Sequence, residues 1–300
     1  MAKSTLFCNK FISIGFKDFL VLTKFRLSLS VVVSSVAGYL LAVDSIEVSV
    51  ILLLLLGGCL TVGASNAFNQ WMEKELDAKM NRTKNRPLPQ KRITSSVAMT
   101  IATLMTVLGC LSLYLINIYT SLLALLSLII YLLVYTPLKT KTPLAVFFGA
   151  FPGAIPFMLG WIAATGNFGI EAGTLFAIQF FWQFPHFWSI AWIADTDYQK
   201  AGFRLLPTGK RDSGTVFQIV FYTLWMIVIS IFPATNYTGD LHLSPAGLGI
   251  IILMGLGVLY YALKLMANPT TLQAKPLIRI CIVYITMLQL TYVIDKFVTQ

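Results

Sequence analysis

The sequence has few charged residues, and acidic side chains are the scarcer kind. Only 11% of its 300 residues are charged while 57% are hydrophobic, and the mean hydropathy is +0.78. A soluble domain of this composition would carry more apolar side chains than its interior could bury, which excludes an ordinary soluble fold. We therefore expect lipid to be the main solvent and the fold class to be all-α, with one membrane-embedded domain over residues 1–300.

Cysteines are also few, and their spacing excludes two kinds of site. Cys8, Cys59, Cys110 and Cys281 show no CxxC pattern, so neither a disulfide framework nor a zinc site is indicated. The net charge of +10 could suggest nucleic acid. Basic residues scattered between apolar runs are more typical of membrane topology, so no nucleic-acid partner is expected.

Apolar runs long enough to cross a bilayer, at about 20 residues per crossing, predict nine transmembrane helices. They lie at about 27–43, 48–68, 95–116, 118–136, 144–165, 171–193, 215–234, 246–267 and 277–297. Residues 1–26 are expected to form an interfacial lead-in on the cytoplasmic side. Its lysines Lys10, Lys17 and Lys24 recur every seven residues, as in a solvated helix at the level of the lipid headgroups.

The basic residues fall into alternate loops of this nine-helix plan. Of the 22 lysines and arginines, 21 fall on the same side of the membrane in this arrangement, and Lys296 is the exception. The opposite loops carry Asp44, Glu47, Glu171 and Asp240 without a basic residue. The positive-inside rule then predicts a cytoplasmic N-terminus, a polar cap on the cytoplasmic side and an external C-terminus. Because no transit peptide is seen, the plasma (inner) membrane is expected.

The first polar motif continues directly from the second apolar run. Asn69, Glu73 and Asp77 are spaced by four residues, so on an α-helix their oxygens share one stripe. Such oxygens suit Mg²⁺, which commonly bridges to substrate phosphates. Arg82 and Arg86 follow as donors for phosphate oxygens. The pattern predicts a magnesium diphosphate site.

A structural alternative explains the same residues without a ligand. A juxtamembrane helix can carry i,i+4 salt bridges, such as Glu75 with Lys79, while its arginines contact anionic headgroups. The depth of the motif favours function, because Asn69 follows Phe68 directly and acids at a membrane boundary are costly unless they have a role.

A second polar motif lies in the sixth predicted helix. Its polar groups are separated by 4, 3 and 11 residues and share one helix face: Gln179, Gln183, His186 and Asp197. Lys200 and Arg204 follow, so that acid again precedes base. Aromatic residues around this stripe, including Trp182, suit a large flat ligand but equally suit packing. For His186, the roles of iron ligand, proton acceptor and structural hydrogen bonder stay open.

Between the two motifs lies the segment YTPLK at 135–139, which contains Tyr135 and Lys139. Lys139 is a candidate for diphosphate binding, and a plain topogenic charge is the alternative. Glycines and the prolines Pro152 and Pro156 interrupt the fifth predicted helix. Small residues there let helices approach closely, and the prolines can open a cavity.

Four segments together resemble the UbiA superfamily of intramembrane prenyltransferases: NQWMEKELDAKMNRTKNRP (69–87), YTPLK (135–139), WQFPHF (182–187) and DYQKAGFRLLP (197–207). The first motif is shared across the superfamily, whereas WQFPHF resembles its heme-directed branch. One departure concerns the second acidic motif. Relatives that act on quinones carry DxxxD there, while Asp195 and Asp197 are two residues apart.

The resemblance implies a prenyltransferase that moves a farnesyl group from farnesyl diphosphate to a vinyl group of heme b, with addition of water, giving heme O and diphosphate. It implies Mg²⁺ as cofactor and heme b as substrate, and as partners membrane lipid and a downstream heme-modifying enzyme or terminal oxidase assembly. A UbiA-type enzyme acting on a quinone precursor or another aromatic acceptor is the first alternative. A membrane transporter is the second.

The resemblance also implies roles for individual residues, which can be grouped by chemistry. Metal binding falls to Asn69, Glu73 and Asp77. Diphosphate binding falls to Arg82, Arg86, Lys139, Lys200 and Arg204. Acceptor binding falls to Tyr135, Trp182, Gln183 and His186, and the catalytic set is Asn69, Glu73, Asp77, His186 and Asp197.

Overall fold

A computed structural model describes residues 15–299, which form helices and connecting loops with no β-strand in that range. The helices are α1 (Phe16–Leu22), α2 (Phe25–Ala42), α3 (Val48–Met72), α4 (Lys74–Lys79), α5 (Ser95–Tyr114), α6 (Ile118–Ile129), α7 (Thr136–Leu138), α8 (Ala145–Thr165), α9 (Ile170–Lys200), α10 (Ser213–Ser230), α11 (Pro245–Ala267) and α12 (Thr271–Thr299). A π-helical segment, Ile130–Tyr135, joins α6 to α7. The all-α prediction is confirmed for these residues, while the predicted lead-in around Lys10 lies outside them.

Among the described residues, eight helices are long and apolar enough to cross a membrane, counting α6 to α7 as one span. The chain is therefore a multi-pass membrane protein. The sixth predicted span, 171–193, corresponds to part of α9, which is not among the eight. Its polar side chains, including Gln179, Gln183 and His186, lower its mean hydropathy although its 31 residues exceed the length of a crossing.

Several helices begin at a residue whose side chain satisfies a backbone N–H of the first turn. The N-cap oxygens of Thr94, Asn117, Asp212 and Ser244 accept from backbone N–H groups three residues later, at 2.8–3.3 Å. Each of these residues stands just before an apolar run. The caps therefore fix where α5, α6, α10 and α11 begin.

Helix α8 lies at the centre of the bundle, where it contacts α2, α6 and α9. In the most apolar stretch of α8, 67% of the residues are buried within the protein. This share is larger than in any of the other seven candidate spans of the described chain. Close approach to α2 depends on glycine. A Cβ on Gly160 would lie 1.9 Å from the Ser35 carbonyl oxygen, and a Cβ on Gly38 would lie 2.1 Å from the Phe157 carbonyl oxygen.

The loops separate into two ends of the bundle. The basic end comprises residues 73–94, 136–144 and 195–212, joined by hydrogen bonds such as Arg204 N to the Lys139 carbonyl oxygen at 2.7 Å. The acidic end comprises residues 43–47, 115–117, 166–171 and 231–244 with the end of α12. There Lys296 reaches the Val43 carbonyl oxygen at 2.6 Å, and Asp240 N donates to Glu171 at 3.2 Å.

Candidate active site

The first acidic motif lies at the basic end, where the helix is interrupted. Helix α3 ends at Met72 and α4 begins at Lys74, so the expected continuous helix breaks at Glu73. The break keeps the i to i−4 bonds, because Glu73 N donates to Asn69 O at 2.9 Å and Asp77 N to Glu73 O at 2.7 Å. Asn69, Glu73 and Asp77 consequently stay on one face, and all three are buried.

Glu73 is ion-paired with a lysine from a distant segment. Lys139 Nζ lies 2.8 Å from Glu73 Oε1, and both side chains are less than 10% exposed. The rings of Tyr135 and Phe203 lie 4.5 and 5.7 Å from the ammonium. Burial alone would lower the pKa of Lys139, but the charge of Glu73 outweighs it and the pKa is raised. Lys139 therefore carries its charge at neutral pH.

Asp77 makes the second buried ion pair. Arg86 Nη1 donates to Asp77 Oδ2 at 2.7 Å, and the hydroxyl of Thr83 donates to the Asp77 carbonyl oxygen at 2.9 Å. The other carboxylate oxygen, Oδ1, is buried and has no hydrogen-bond partner among the described residues. A buried carboxylate oxygen without a partner is costly, which marks Oδ1 as a position where a ligand would be stabilised.

Lys24 is a third basic group at this site, and the sequence did not assign it. It was expected in a solvated lead-in, but it is half-buried, and the charges of Glu73, Asp77, Arg86 and Lys139 act on its ammonium. Burial, followed by the charges of Arg86 and Lys139, lowers the pKa of Lys24 to about 7. Lys24 therefore lies half-buried at the junction of α1 and α2, and not on the solvated face of a helix.

The backbone around Lys24 is held in place by α3. Lys24 has φ 45°, a left-handed conformation that costs a non-glycine residue about 1 kcal/mol. Gln70 of α3 donates to the Val21 and Leu22 carbonyl oxygens, both at 2.8 Å, and so fixes the junction of α1 and α2. The only signal in the sequence was a basic residue three positions before the first long apolar run.

Asp197 joins the two long basic loops. Its carboxylate accepts the backbone N–H groups of Asn81 and Arg82, each at 3.0 Å, and Lys200 Nζ at 2.9 Å. The hydrogen bonds from Arg82, Lys200 and Asn81 lower the pKa of Asp197 to about 2. Arg82 also donates to the Tyr198 hydroxyl at 3.1 Å. These contacts hold residues 80–86, and hence Arg86, over the acidic face.

The predicted convergence of cations is met by some residues and not by others. Arg86 and Lys139 contact the acids directly, whereas Lys200 pairs with Asp197 and its side chain is 46% exposed. Arg204 is exposed. Its link to the site is the hydrogen bond from its backbone N–H to the Lys139 carbonyl oxygen. The prediction that Lys200 and Arg204 contact the same pocket as the acids is therefore not met by the described geometry.

Polar side chains of α9 form hydrogen bonds to two neighbouring helices, α8 and α12. Gln183 donates to the Ala150 carbonyl oxygen of α8 at 2.8 Å. Trp182 Nε1 donates to the Cys281 carbonyl oxygen of α12 at 2.7 Å, and His186 stacks on Trp182 with ring centroids 4.9 Å apart. His186 is buried, and its Nδ1 has no partner among the described residues.

A π-helical segment delivers two residues to the acidic face. Asn69 donates to the Thr136 hydroxyl at 3.1 Å, and that hydroxyl donates to the Tyr131 carbonyl oxygen at 2.8 Å. The wider turn of Ile130–Tyr135 re-aims the chain so that Thr136 and Lys139 both face α3. Single-turn π insertions are frequent at functional sites. The sequence contains no pattern that predicts this π-helical segment.

The donor set at this face fits a hard cation. Carboxylate oxygens of Glu73 and Asp77 and the amide oxygen of Asn69 are the ligands that Mg²⁺ takes, and the unpartnered Oδ1 of Asp77 leaves one oxygen available. No cluster of three His, Cys, Asp or Glu side chains occurs within residues 15–299. A metal here would therefore keep water or substrate oxygens among its ligands, as Mg²⁺ at phosphate sites commonly does.

Comparison with known families identifies the fold and its activity class. Residues 31–282 match the model of the UbiA prenyltransferase family. The chain belongs to that family. The predicted superfamily and the predicted enzyme class, a prenyltransferase, are thereby confirmed, and the transporter alternative is not favoured.

Individual relatives are similar along most of their length. A protein of Christiangramia forsetii named protoheme IX farnesyltransferase is 57% identical over 283 residues, covering 94% of each chain. One of the same name from Flavobacterium psychrophilum is 55% identical over 285 residues, covering 94% of this chain and 95% of the relative.

Solved structures share the fold at low sequence identity. Digeranylgeranylglyceryl phosphate synthase has a TM-score of 0.76 at 17% identity, covering 93% of this chain and 97% of its own. A UbiA homolog from Archaeoglobus fulgidus, bound to GPP and Mg²⁺, has a TM-score of 0.66 at 15% identity, covering 92% and 99%. These matches confirm the UbiA fold for the chain.

Proposed function

We propose that this protein transfers the farnesyl group of farnesyl diphosphate to a vinyl group of heme b, with addition of water, giving heme O and diphosphate. The relatives with 57% and 55% identity carry the name of this activity. The observation that supports it most is the arrangement at the basic end. Two buried carboxylates on one face are each paired with a cation from another segment, and a third basic group, Lys24, adjoins them.

Asn69, Glu73 and Asp77 would hold Mg²⁺, in keeping with the bound Mg²⁺ of the Archaeoglobus homolog. When bound, the metal would supply positive charge to diphosphate oxygens. Lys139 and Arg86 would also stabilise the negative charge of the diphosphate. Because Lys139 and Arg86 are already oriented by Glu73 and Asp77, they need little reorganisation as charge develops on the leaving diphosphate.

The leaving step breaks the bond between C1 of the farnesyl group and the diphosphate oxygen, and the electron pair stays with diphosphate. The vinyl group then forms a carbon–carbon bond to C1, and water adds to the resulting porphyrin-stabilised cation with loss of a proton. Arg82 and the loop held by Asp197 cover this end and limit access of water to the allylic cation. Lys200 and Arg204 are proposed to guide the anionic substrate from the surface.

Tyr135, Trp182, Gln183 and His186 are proposed to bind the acceptor. His186 and Trp182 form a flat aromatic stack against α12, which suits one face of a porphyrin. The unpartnered, buried Nδ1 of His186 is a group that an iron atom or a proton would satisfy. Tyr135 contacts Lys139, the ion-pair partner of Glu73.

We further propose that α9 also crosses the membrane, which makes nine crossings, and that the basic end faces the cytoplasm of a cell with this protein in its inner membrane. Nine crossings place the N-terminus inside and the C-terminus outside. The supporting observation is that three basic loops, 73–94, 136–144 and 195–212, contact one another at one end. Product would then pass to a heme-modifying enzyme or a terminal oxidase assembly.

The experiment incubates membranes containing the protein with farnesyl diphosphate, Mg²⁺ and either heme b or a hydroxybenzoate, followed by mass analysis of the products. We expect a heme that has gained one farnesyl group and one water. A prenylated hydroxybenzoate with unmodified heme would reject the heme assignment and favour a quinone precursor as acceptor.

A further inference from the structure

One arginine of the long loop after α4 connects two parts of the candidate active site. Arg92 Nε donates to the two carboxylate oxygens of Asp18 on α1 at 3.2 and 3.1 Å, and Nη2 donates to Asp18 Oδ1 at 3.1 Å. The same Nη2 donates to the carbonyl oxygen of Asn85, the residue before Arg86, at 3.1 Å. Asp18 itself lies one helical segment before Lys24. One guanidinium therefore contacts both the helix that leads to Lys24 and the backbone that leads to Arg86.

A strained turn precedes Arg92. Lys91 has φ 55°, a left-handed conformation that is costly for a non-glycine residue. The turn is closed by hydrogen bonds from Lys91 N to the Leu88 carbonyl oxygen at 3.0 Å and from Arg92 N to the Pro87 carbonyl oxygen at 2.9 Å. Backbone strain persists only where the surrounding contacts determine the conformation. The side-chain contacts of Arg92 are contacts of that kind.

Apolar side chains hold α1 against the same loop, but they do not fix its direction. Leu22 of α1 packs with Leu88 and Ile93 of the loop, and the three are 0%, 5% and 2% exposed. Hydrophobic contact is not directional, so this cluster alone would let α1 turn or slide on the loop. A guanidinium that binds both oxygens of a carboxylate adds a defined geometry. The pair of Arg92 and Asp18 therefore fixes how α1 is oriented.

Side-chain hydrogen bonds join α1 to the turn at Lys24. The Thr23 hydroxyl donates to the Phe19 carbonyl oxygen, and the Ser28 hydroxyl donates to the Thr23 carbonyl oxygen, both at 3.0 Å. Ser28 N also donates to the Lys24 carbonyl oxygen at 3.0 Å. Because only Thr23 and Lys24 separate α1 from α2, a change in the position of Asp18 is transmitted to Lys24.

The ion pair of Arg92 and Asp18 supplies direction more than stability. Their side chains are 44% and 21% exposed, and exposed ion pairs contribute little to the free energy of unfolding. The cations that they hold lie at a buried acid: Arg86 donates to Asp77, and the charge of Asp77 also acts on Lys24. The pair therefore decides where two cations lie, and not whether the protein folds.

We propose that Arg92 is a positioning residue of the diphosphate site, which holds Lys24 through Asp18 and Arg86 through the backbone at Asn85. The proposal rests on the proposed function and adds two residues to that same site. Cations that are oriented before the substrate arrives need little reorganisation when they meet its charge. Arg92 and Asp18 act on farnesyl diphosphate through these cations, without contacting it.

The first test measures KM for farnesyl diphosphate and kcat, with heme b and Mg²⁺. Asp18→Asn should raise KM about fivefold and keep kcat within about twofold, because the orientation of Lys24 is lost while the contact of Arg92 with Asn85 remains. Arg92→Gln should raise KM by a similar factor and also lower kcat about tenfold, because Arg86 is no longer held beside the developing charge. An unchanged KM in both folded variants overturns the proposal.

A double variant tests whether the two residues act as one unit. Asp18→Asn combined with Arg92→Gln should raise KM no further than Arg92→Gln alone, because the pair is already broken. Effects that multiply would show two independent contributions and overturn the proposal. The matched control is Arg279→Gln, an exposed arginine of α12, which should keep the parental KM and kcat.

Thermal unfolding separates positioning from folding. The midpoints of Asp18→Asn and Arg92→Gln should stay close to that of the parent, because the pair is exposed. A midpoint that falls in step with the rise in KM assigns the pair to folding and overturns the proposal.

Calorimetry of farnesyl diphosphate binding in Mg²⁺ repeats the comparison without the acceptor. Asp18→Asn should bind about fivefold more weakly than the parent, and Arg279→Gln should bind equally well. This result, together with no farnesylation of heme b by the parent, would reject the proposed acceptor while the role of Arg92 stands. Equal affinity in the parent, Asp18→Asn and Arg92→Gln overturns that role.

Discussion

The two ends of the helical bundle handle charge in opposite ways. At the acidic end, charged groups bond to backbone groups or remain in solvent: Asp295 accepts Ser244 N at 2.7 Å, and Asp44, beside Lys296, is fully exposed. At the basic end, the side chains of Glu73 and Asp77 are buried, and they form ion pairs with Lys139 and Arg86 respectively. Surface ion pairs contribute little, whereas buried charges are costly unless they are paired. The difference teaches that only the basic end maintains an arrangement that stability alone does not require.

The largest expected difference between the two ends is in activity, and it is tested by removing one carboxylate from each end. Asp77→Ala should lower the rate of heme farnesylation by about a thousandfold, because an oxygen ligand to the metal and the partner of Arg86 are both lost. Asp295→Ala should keep the parental rate within about twofold. Product mass analysis measures both. Equal losses in two folded variants would mean that the acidic face has no special role.

The second comparison is between the lysines of the two ends. Lys139→Met should lower the free energy of unfolding by about 3 kcal/mol, because Glu73 is left buried without a partner. Lys296→Met should lower it by about 1 kcal/mol or less, since its partner Asp44 is exposed. Unfolding in detergent with added denaturant measures both values.

A double variant separates folding from catalysis at the same pair. Glu73→Leu combined with Lys139→Met should recover most of the lost stability, because no buried charge remains, yet it should stay inactive. Recovery of activity with stability would show that the pair is purely structural.

Lys24 offers a smaller effect within the basic end. Lys24→Met should raise the KM for farnesyl diphosphate about tenfold with little change in kcat, since it removes one charged hydrogen bond to the anion. Lys17→Met, an exposed lysine of α1, is the matched control and should change nothing. Because burial and the neighbouring cations lower the pKa of Lys24 to about 7, its charge is lost as pH rises. The parental KM should therefore increase between about pH 6 and about pH 9, and Lys24→Arg should flatten that increase.

The smallest effect is expected at the junction of the two loops. Asp197→Asn keeps an acceptor oxygen for one of the two backbone N–H groups, those of Asn81 and Arg82, but turns an NH₂ group toward the other and loses the charge that attracts Lys200. Because this junction is exposed, activity should fall only by about threefold. The pKa of Asp197 is lower in the folded protein, so its stabilising contribution is present above about pH 4 and is lost as pH falls toward about 2. Thermal unfolding across that range should show less pH dependence in Asp197→Asn than in the parent. Asp240→Asn, at the acidic end, is the control and should match the parent.

Local sequence patterns predicted most of the helices and the acidic face of the candidate site. Apolar runs match the helices of the described chain, and the spacing of Asn69, Glu73 and Asp77 placed them on one face. Both depend on the period of a helix, which the sequence contains directly. The basic loops meet at one end for the same reason, because each crossing reverses the direction of the chain.

The remainder depends on tertiary contacts that no local pattern contains. The break at Glu73 and the π-helical segment at Ile130–Tyr135 are local departures stabilised by partners more than 60 residues away, such as Thr136 for Asn69. Lys24 could not be distinguished from the other lysines before α2, because its burial results from Gln70 and the loop around Arg86. A carboxylate pairing with distant backbone N–H groups, as at Asp197, likewise leaves no trace in the sequence.

Binding of farnesyl diphosphate to the purified protein, measured by calorimetry with and without Mg²⁺, tests most directly whether the buried charges of the basic end hold a metal diphosphate. We expect the parent to bind only when Mg²⁺ is present, and Asp77→Asn to lose at least about tenfold in affinity while keeping its fold. Equal affinity in the parent and in Asp77→Asn, unaffected by removal of Mg²⁺, would contradict the account.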